Sequence, residues 1–417
     1  MIYGRGSVDQ TLKIEDVQQV LTQSFDALQL EGKRVLVIIP DGTRTAPIPM
    51  MFRLLYEQLG ERVQRLDYLI ALGTHQPMPE SAIEKLVGVS KAEREQKYPK
   101  AQIYNHQWSN PEALRTIGVI TPDEARRLTD GILSEEVPVT LNRMIFDYDQ
   151  LIICGPVFPH EVAGFSGGAK YLFPGIAGAD IIDFSHWLGA RVTNIGTIGV
   201  KDTLTRRVIH RAAEFVSQPL FCIAMVLQGS DFHGIYTGTH IEAFEQAADL
   251  SGQLNIIYKS RTFKRVLSMP SEKYDDLWTA AKAMYKTEPV IADGGEVIIY
   301  APHITEVSYT HGELLDQVGY HVRDYFLKQW ERFQQYPGSI LAHSTHVKGT
   351  GSYDSVTGIE TPRVTVTLAT GIPAARCRQI NLGYTDYRLI QPQEWADREE
   401  EGILLVEHAG EMLYRLG

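Results

Sequence analysis

Cysteine is scarce in this chain. Its 417 residues include three, Cys154, Cys222 and Cys377. An odd, widely spaced set supports neither a disulfide framework nor a zinc cluster. Cys154 and Cys222 lie inside apolar runs, where a thiol acts as a small hydrophobe, and this usage fits a reducing compartment. Long apolar runs are missing as well. No stretch reaches the length needed to cross a bilayer, and the opening residues Met-Ile-Tyr-Gly-Arg-Gly-Ser carry no apolar leader core. The expectation is a cytoplasmic protein with no membrane partner. Positive charge is in deficit: 40 Lys and Arg stand against 51 Asp and Glu, a net charge of -11. That balance repels a phosphate backbone, so nucleic acid is not an expected partner. A small anion can still be held where a few cations converge.

What is present is an ordinary globular composition, 44% hydrophobic and 22% charged, in a chain longer than one core usually serves. The pattern is α/β. Residues 15–30 place Val17, Val20, Leu21, Phe25 and Leu28 at helical spacing. The run 34–39 then reads as a buried parallel strand, followed by a polar loop and a helix over 50–59. The run 65–72 reads as the next strand, leading through Gly73-Thr-His-Gln-Pro77 to a helix near 80–86. Further strands are expected at 150–154, 221–227, 296–300, 339–342, 363–368 and 402–406, and a helix over 275–286. No internal repeat or low-complexity segment is visible. The expected fold is two α/β domains, each a mainly parallel sheet flanked by helices, with the active site in the cleft between them. The first would span 1–266, with a C-terminal segment near 398–417 returning to it, and the second 267–397.

In open parallel sheets, ligands bind beyond the carboxyl ends of the strands. Three loops at such ends carry reactive groups: Asp41-Gly-Thr-Arg44, Gly73-Thr-His75, and the loop that runs from Gly155 through His160 to Lys170. In the third, Gly164, Gly167 and Gly168 precede Lys170. Glycines there would let backbone N–H groups meet a phosphate or carboxylate. A P-loop needs Gly directly before its Lys and a hydroxyl after it; Ala169 and Tyr171 stand in those places, which weakens a nucleotide-hydrolysing reading. Taken singly, His75 and His160 read as surface hydrogen-bonding residues, Arg44 as half of a surface ion pair, Lys170 as a solvated side chain, and His186 as a helix-packing group. Their co-occurrence is what points to a site.

Taken in order, these residues resemble the lactate racemase family, which uses a nickel-pincer nucleotide. Pro159-His-Glu-Val-Ala-Gly-Phe-Ser-Gly-Gly-Ala-Lys170 and its continuation to Gly178 are very similar to that family's signature. Asp41-Gly-Thr-Arg44, Gly73-Thr-His-Gln-Pro77 and Ala281-Lys-Ala-Met284 match further blocks in the right order, over roughly residues 34–306. The resemblance implies a racemase or epimerase of 2-hydroxy acids. By it, His75 and His160 are the two acid/base groups. His186 is the nickel ligand, and Lys170 the lysine that can tether the cofactor. Asp41, Gly42, Thr43, Arg44, Gly167 and Gly168 line the cofactor, and Lys282, with Arg44, is a substrate-binding cation. The cofactor accepts hydride from C2, and imidazoles suit the accompanying proton transfers because they titrate near neutrality. Cofactor-synthesis enzymes would be its cellular partners. Departures flank the substrate: Thr279, preceded by Trp278, stands where lactate-specific members have Gln, Thr45 where Pro is usual, and Gln76 where Arg is usual. Trp278 and Thr279 are therefore expected to set the substrate, a 2-hydroxy acid larger than lactate such as an aldonate. Lactate racemase activity itself and a catalytically inactive anion- or nucleotide-binding homologue are the alternatives. His343 and His346, beyond the expected strand 339–342, would line the cleft or lie on the surface.

Overall fold

Short β-branched runs bounded by Gly, Pro and polar residues form strands because both of their faces can be buried at once. In Arg34–Pro40, Val35, Val37 and Ile39 pack into one core with Val17, Phe25, Phe52, Leu55 and Ile70, while Leu36 and Ile38 are buried on the other face. Full burial of each such side chain is worth about 1.5–3 kcal/mol relative to exposure. The computed structural model describes residues 2–417. The chain divides into two compact units. One comprises 1–158, 165–182 and 206–254, and the other 159–164, 183–205 and 255–417.

The first unit holds a seven-stranded sheet in the order Tyr3–Gly6, Asp231–Gly238, Leu220–Gln228, Gln150–Pro156, Arg34–Pro40, Arg65–Ala71, Ile103–Asn105. From Leu220–Gln228 to Ile103–Asn105 every pairing is parallel, and the remaining two strands extend it antiparallel. Helices Ile14–Ala27, Ile48–Leu59 and Glu80–Val87 cover it. Strand order reverses between Arg34–Pro40 and Gln150–Pro156, which makes a crevice at their carboxyl ends. The Asp41 loop and the glycine loop leave from those two strands.

The second unit has a five-stranded sheet in the order Gly383–Tyr384, Thr365–Thr370, Ile291–Ala301, Phe263–Pro270, Ile403–Ala409, parallel throughout. Its order reverses between Phe263–Pro270 and Ile403–Ala409. The segment carrying Trp278, Thr279 and Lys282 follows the first of these strands.

Several expectations need correction. A boundary at 266 would cut Phe263–Pro270, an interior strand of the second sheet; the division falls after Leu254, and residues 159–164 and 183–205 also join the second unit. The C-terminal strands do not return to the first sheet. Ile403–Ala409 pairs with Phe263–Pro270, and Leu413–Leu416 with Ile256–Lys259. The expected strand 339–342 is the helix Gly338–Lys348, buried from Ser339 through Val347. A four-residue apolar run cannot tell a strand from a helix buried all round. The helix expected over 275–286 is two short ones, Leu277–Ala280 and Lys282–Tyr285. Among the described residues no helix is long and apolar enough to cross a membrane.

Candidate active site

In the first unit, the turn after Arg34–Pro40 buries Asp41 and leaves Gly42 exposed and Thr43 and Arg44 partly so. One Asp41 carboxylate oxygen accepts from the Thr43 amide (3.1 Å) and hydroxyl (2.6 Å). The other lies 2.5 Å from Nδ1 of His75. Burial would raise the Asp41 carboxyl, but the charge and hydrogen bond of His75, the Thr43 hydroxyl and the charge of Arg44 outweigh it and hold the group ionised well below the usual carboxylate range. An ionised partner at Nδ1 fixes the imidazole and leaves Nε2 as its basic nitrogen. Asp41 thus orients His75, a role hidden in a sequence separation of 34 residues. Gly73 N–H donates to Gly175 O (2.9 Å), tying the His75 loop to the chain just beyond Lys170.

The glycine loop behaves differently from the anion cradle its composition suggests. The amides of Ser166 and Lys170 donate to Phe158 O (2.7 Å) and Gly167 O (3.3 Å), and that of Gly168 faces the Cys222 sulfur. Gly167 (φ 90°) and Gly168 (φ 58°) are required by close packing: a Cβ would lie 2.5 Å from Val157 Cγ2 and 2.7 Å from His240 O respectively. Arg206, 2% exposed, donates to Gly167 O (3.0 Å) and to Phe165 O, with its guanidinium 4.0 Å from the Phe244 ring centroid. Burial lowers this guanidinium to about 9. The loop is therefore clamped from within by a cation that its own motif does not contain. Lys170 follows in the short helix Gly168–Tyr171, partly exposed, and buried Tyr171 lies within the fields of Asp41 and Arg44. The first unit thus gathers Asp41, Arg44, His75 and the Lys170 segment. Burial raises the Cys222 thiol to about 12 and that of Cys377 to about 11, and all three thiols are buried, which removes them as nucleophiles.

The second unit holds the other residues. His160 is 4% exposed. Its Nδ1 accepts from Val162 N–H (3.1 Å) and lies 3.4 Å from the Glu161 carboxylate. Buried Lys286 donates to Pro159 O (2.6 Å) and Glu411 O (2.8 Å) and so anchors the residue before His160. One turn earlier, Lys282 is 5% exposed; its ammonium donates to Thr279 O (3.0 Å) and sits 4.9 Å from the Tyr274 ring centroid. Asp276 caps this segment, accepting from Thr279 N (3.0 Å) and Oγ1 (2.8 Å). The Thr279 hydroxyl is thus engaged within its own turn. Trp278 stacks on His343 (4.1 Å between centroids, 29°) and packs tilted on His311 (4.6 Å). His186 lies on the helix Ala179–Val192 and within the field acting on His343. His343, which the sequence left unplaced, is buried, so the strand-end surface reading is overturned. Burial first, then the charges of His346, His311, Lys282 and His186, push its imidazole well below its ordinary value. Its Nε2 lies 3.3 Å from Tyr320 Oη.

Lys170 and His186 are each partly exposed on their own units, and neutral imidazole is a good nickel ligand. Among the described residues no group of three or more His, Cys, Asp or Glu is placed to hold a metal ion.

The profile of the lactate racemase N-terminal domain matches residues 7–196. Lactate racemase of Thermoanaerobacterium thermosaccharolyticum is 25% identical over 282 residues, 65% of this chain and 60% of that protein. The Lactiplantibacillus plantarum lactate racemase is 24% identical over 299 residues, 69% of this chain and 65% of that protein. The matched segments therefore span less than two thirds of those relatives. Among solved structures, a Thermotoga maritima protein aligns at 32% identity with a TM-score of 0.90, over 99% of this chain and 100% of its own. The lactate racemase apoprotein of T. thermosaccharolyticum shares the fold, at 18% identity and a TM-score of 0.72, over 99% of this chain and 94% of its own. Residues 7–196 thus carry the lactate racemase N-terminal domain, and the chain as a whole shares the α/β fold of a lactate racemase apoprotein.

Proposed function

We propose that this protein is an isomerase that inverts C2 of a 2-hydroxy acid larger than lactate, using a nickel-pincer nucleotide held by Lys170, His186 and the Asp41–Arg44 loop. The bound cofactor would supply the acceptor and donor of the C2 hydride. The protein's part is to move the hydroxyl proton and hold the carboxylate. Inversion asks for a proton acceptor on each face of the substrate, and His75 and His160 fill those roles. The observation that carries the reading is their anchoring. His75 is held through Nδ1 by ionised Asp41, which leaves Nε2 as a base. His160 faces both Val162 N–H and the Glu161 carboxylate at Nδ1. Protonated, it can set Nδ1–H toward the Glu161 carboxylate and offer Nε2–H to the substrate; giving up that proton leaves the Nε2 lone pair as the base. A ring so placed can alternate between acid and base. Lys282 and Arg44 would orient the carboxylate.

The preference for a larger, polyhydroxylated acid such as an aldonate rests on the wall beside Lys282. Trp278 presents an aromatic face, and the neutral His343 imidazole both donates and accepts hydrogen bonds, as a hydroxyl requires. The test is protein produced alongside the cofactor-synthesis enzymes, assayed for nickel and for conversion of single-enantiomer 2-hydroxy acids from lactate to sugar acids, read by chiral chromatography. The expected result is one nickel per chain and epimerised product from the longer acids. Active protein without nickel would sink the cofactor assignment, and conversion of lactate alone would sink the substrate assignment.

A further inference from the structure

Inside the second unit lies a cavity of about 40 Å³, lined by Thr193, Asn194, Glu288, Arg323, Thr345 and His346 with the turn at 349–351. Four side-chain atoms of these residues are buried with no partner in the protein: Asn194 Oδ1, Arg323 Nε, Thr345 Oγ1 and His346 Nε2. Asn194, Thr345 and His346 are 3%, 5% and 3% exposed. Native interiors rarely leave such groups unpaired, and four around one cavity is a concentration that calls for a ligand.

The chemistry of the four atoms names its class. Arg323 Nε only donates. Asn194 Oδ1 only accepts, and its orientation is set because Nδ2 donates to Tyr285 O (2.8 Å) and Glu288 Oε2 (2.8 Å). Burial lowers His346 to about 4, so the ring is neutral; the Gly189 carbonyl takes one N–H, which leaves Nε2 as an acceptor. The Thr345 hydroxyl does either. A cation would meet Arg323, and an anion would meet Glu288, which is fully buried and also accepts from Thr350 N–H (2.9 Å). A small neutral molecule that both donates and accepts fits all four. At roughly 10–15 Å³ of this volume per water, the space admits about three or four.

We propose that this cavity is a hydration site whose ordered waters pair Asn194, Arg323, Thr345 and His346 and hold the Asn194 amide against the end of the Lys282 helix. Asn194 follows the helix that carries His186, and Tyr285 ends the helix that begins at Lys282. The waters thereby make Asn194 a positioning residue for the Lys282 segment, whatever reaction that segment serves.

The test joins a crystal structure of the full chain, at a resolution that shows ordered water, with two variants. Water peaks within hydrogen-bonding distance of the four atoms are expected. Thr345→Val keeps the shape and removes the hydroxyl; with water present it breaks a satisfied bond and should lower the melting temperature by about 2–4 °C. In a dry cavity the same change removes an orphan group and leaves the melting temperature unchanged or higher. Asn194→Ala should speed amide exchange at Lys286 and Thr287 at least tenfold. Empty density, an ion identified by anomalous scattering, or a Thr345→Val protein as stable as the parent overturns the hydration site. Unchanged exchange in Asn194→Ala overturns the positioning role.

Discussion

Acid should destabilise this protein through one imidazole whose surroundings admit only the neutral form. His106 is fully buried in the first unit. Its Nε2 lies 3.0 Å from Ala177 O, and its Nδ1 lies 3.1 Å from the Asn142 side-chain nitrogen. Asn142 cannot turn over freely, because its oxygen accepts from Met144 N–H (3.0 Å). The neutral ring satisfies both contacts, with Nε2–H donating and Nδ1 accepting. A second proton would set Nδ1–H against the Asn142 amino group and bury a charge. Burial, opposed only by the Ala177 carbonyl, lowers the imidazole from 6.5 to about 4. The folded value lies below the unfolded one, so the unfolded chain takes the proton first as pH falls. The contribution is whole above about 6.5 and is lost on the way down to about 4. At about 1.4 kcal/mol per pH unit this amounts to roughly 3 kcal/mol. The assay is urea unfolding from pH 8 to pH 4.5, for the parent and for His106→Phe, with imidazole resonances followed by NMR. His106→Phe should be less stable at pH 8 by about 2 kcal/mol, because Ala177 O and Asn142 lose a partner. Its stability should also fall less steeply below pH 6.5. A His106 resonance that titrates near 6.5 in the folded protein, or identical pH slopes for the two chains, would refute the reasoning.

Three further outcomes follow from the same geometry. Asp41→Asn removes the charge that fixes His75 and should cut turnover by about 10²–10⁴; because the two residues act as a unit, the double variant with His75→Ala should be little worse than His75→Ala alone, and additive losses would separate them. Arg206→Met strips the donors from Phe165 O and Gly167 O and should cost about 2–4 kcal/mol in chemical denaturation, and a neutral result would mean the clamp on the glycine loop is not structural. Gly164→Ala combines φ 79° with a Cβ 1.8 Å from Val200 O, both within the second unit, and should cost about 3 kcal/mol or more; normal thermal stability would show that the backbone there relaxes at little cost.

Much of the first unit is legible in the sequence. The strands Arg34–Pro40, Arg65–Ala71 and Gln150–Pro156 are apolar runs closed by Pro, Gly or polar residues, so composition and length over a few positions suffice to place them. The reactive loops at their ends are legible for the same reason, since a parallel sheet puts its polar connections there. Family resemblance singled out His186 and Lys282, which no local pattern distinguishes, and gave an expected role to Lys170, which the glycines before it already marked.

Other features depend on residues far apart in the chain, and only the tertiary structure decides them. That Asp41 holds His75, that Arg206 clamps the glycine loop, and that Lys286 anchors Pro159 are pairings over 34, 39 and 127 positions. Nothing in either partner's neighbourhood announces them. The glycines near Lys170 are sequence features with two physical uses, presenting amides or letting backbone pack closely, and the neighbours Val157 and His240 decide for packing. Gly338–Lys348 is a helix because its Ser, Thr and His side chains are enclosed on every side, an environment that no residue within the segment reports. Local sequence settles what a short run of backbone prefers. Burial, and the partners that burial makes obligatory, are settled by segments remote in sequence, and they determine which of these side chains are oriented for chemistry.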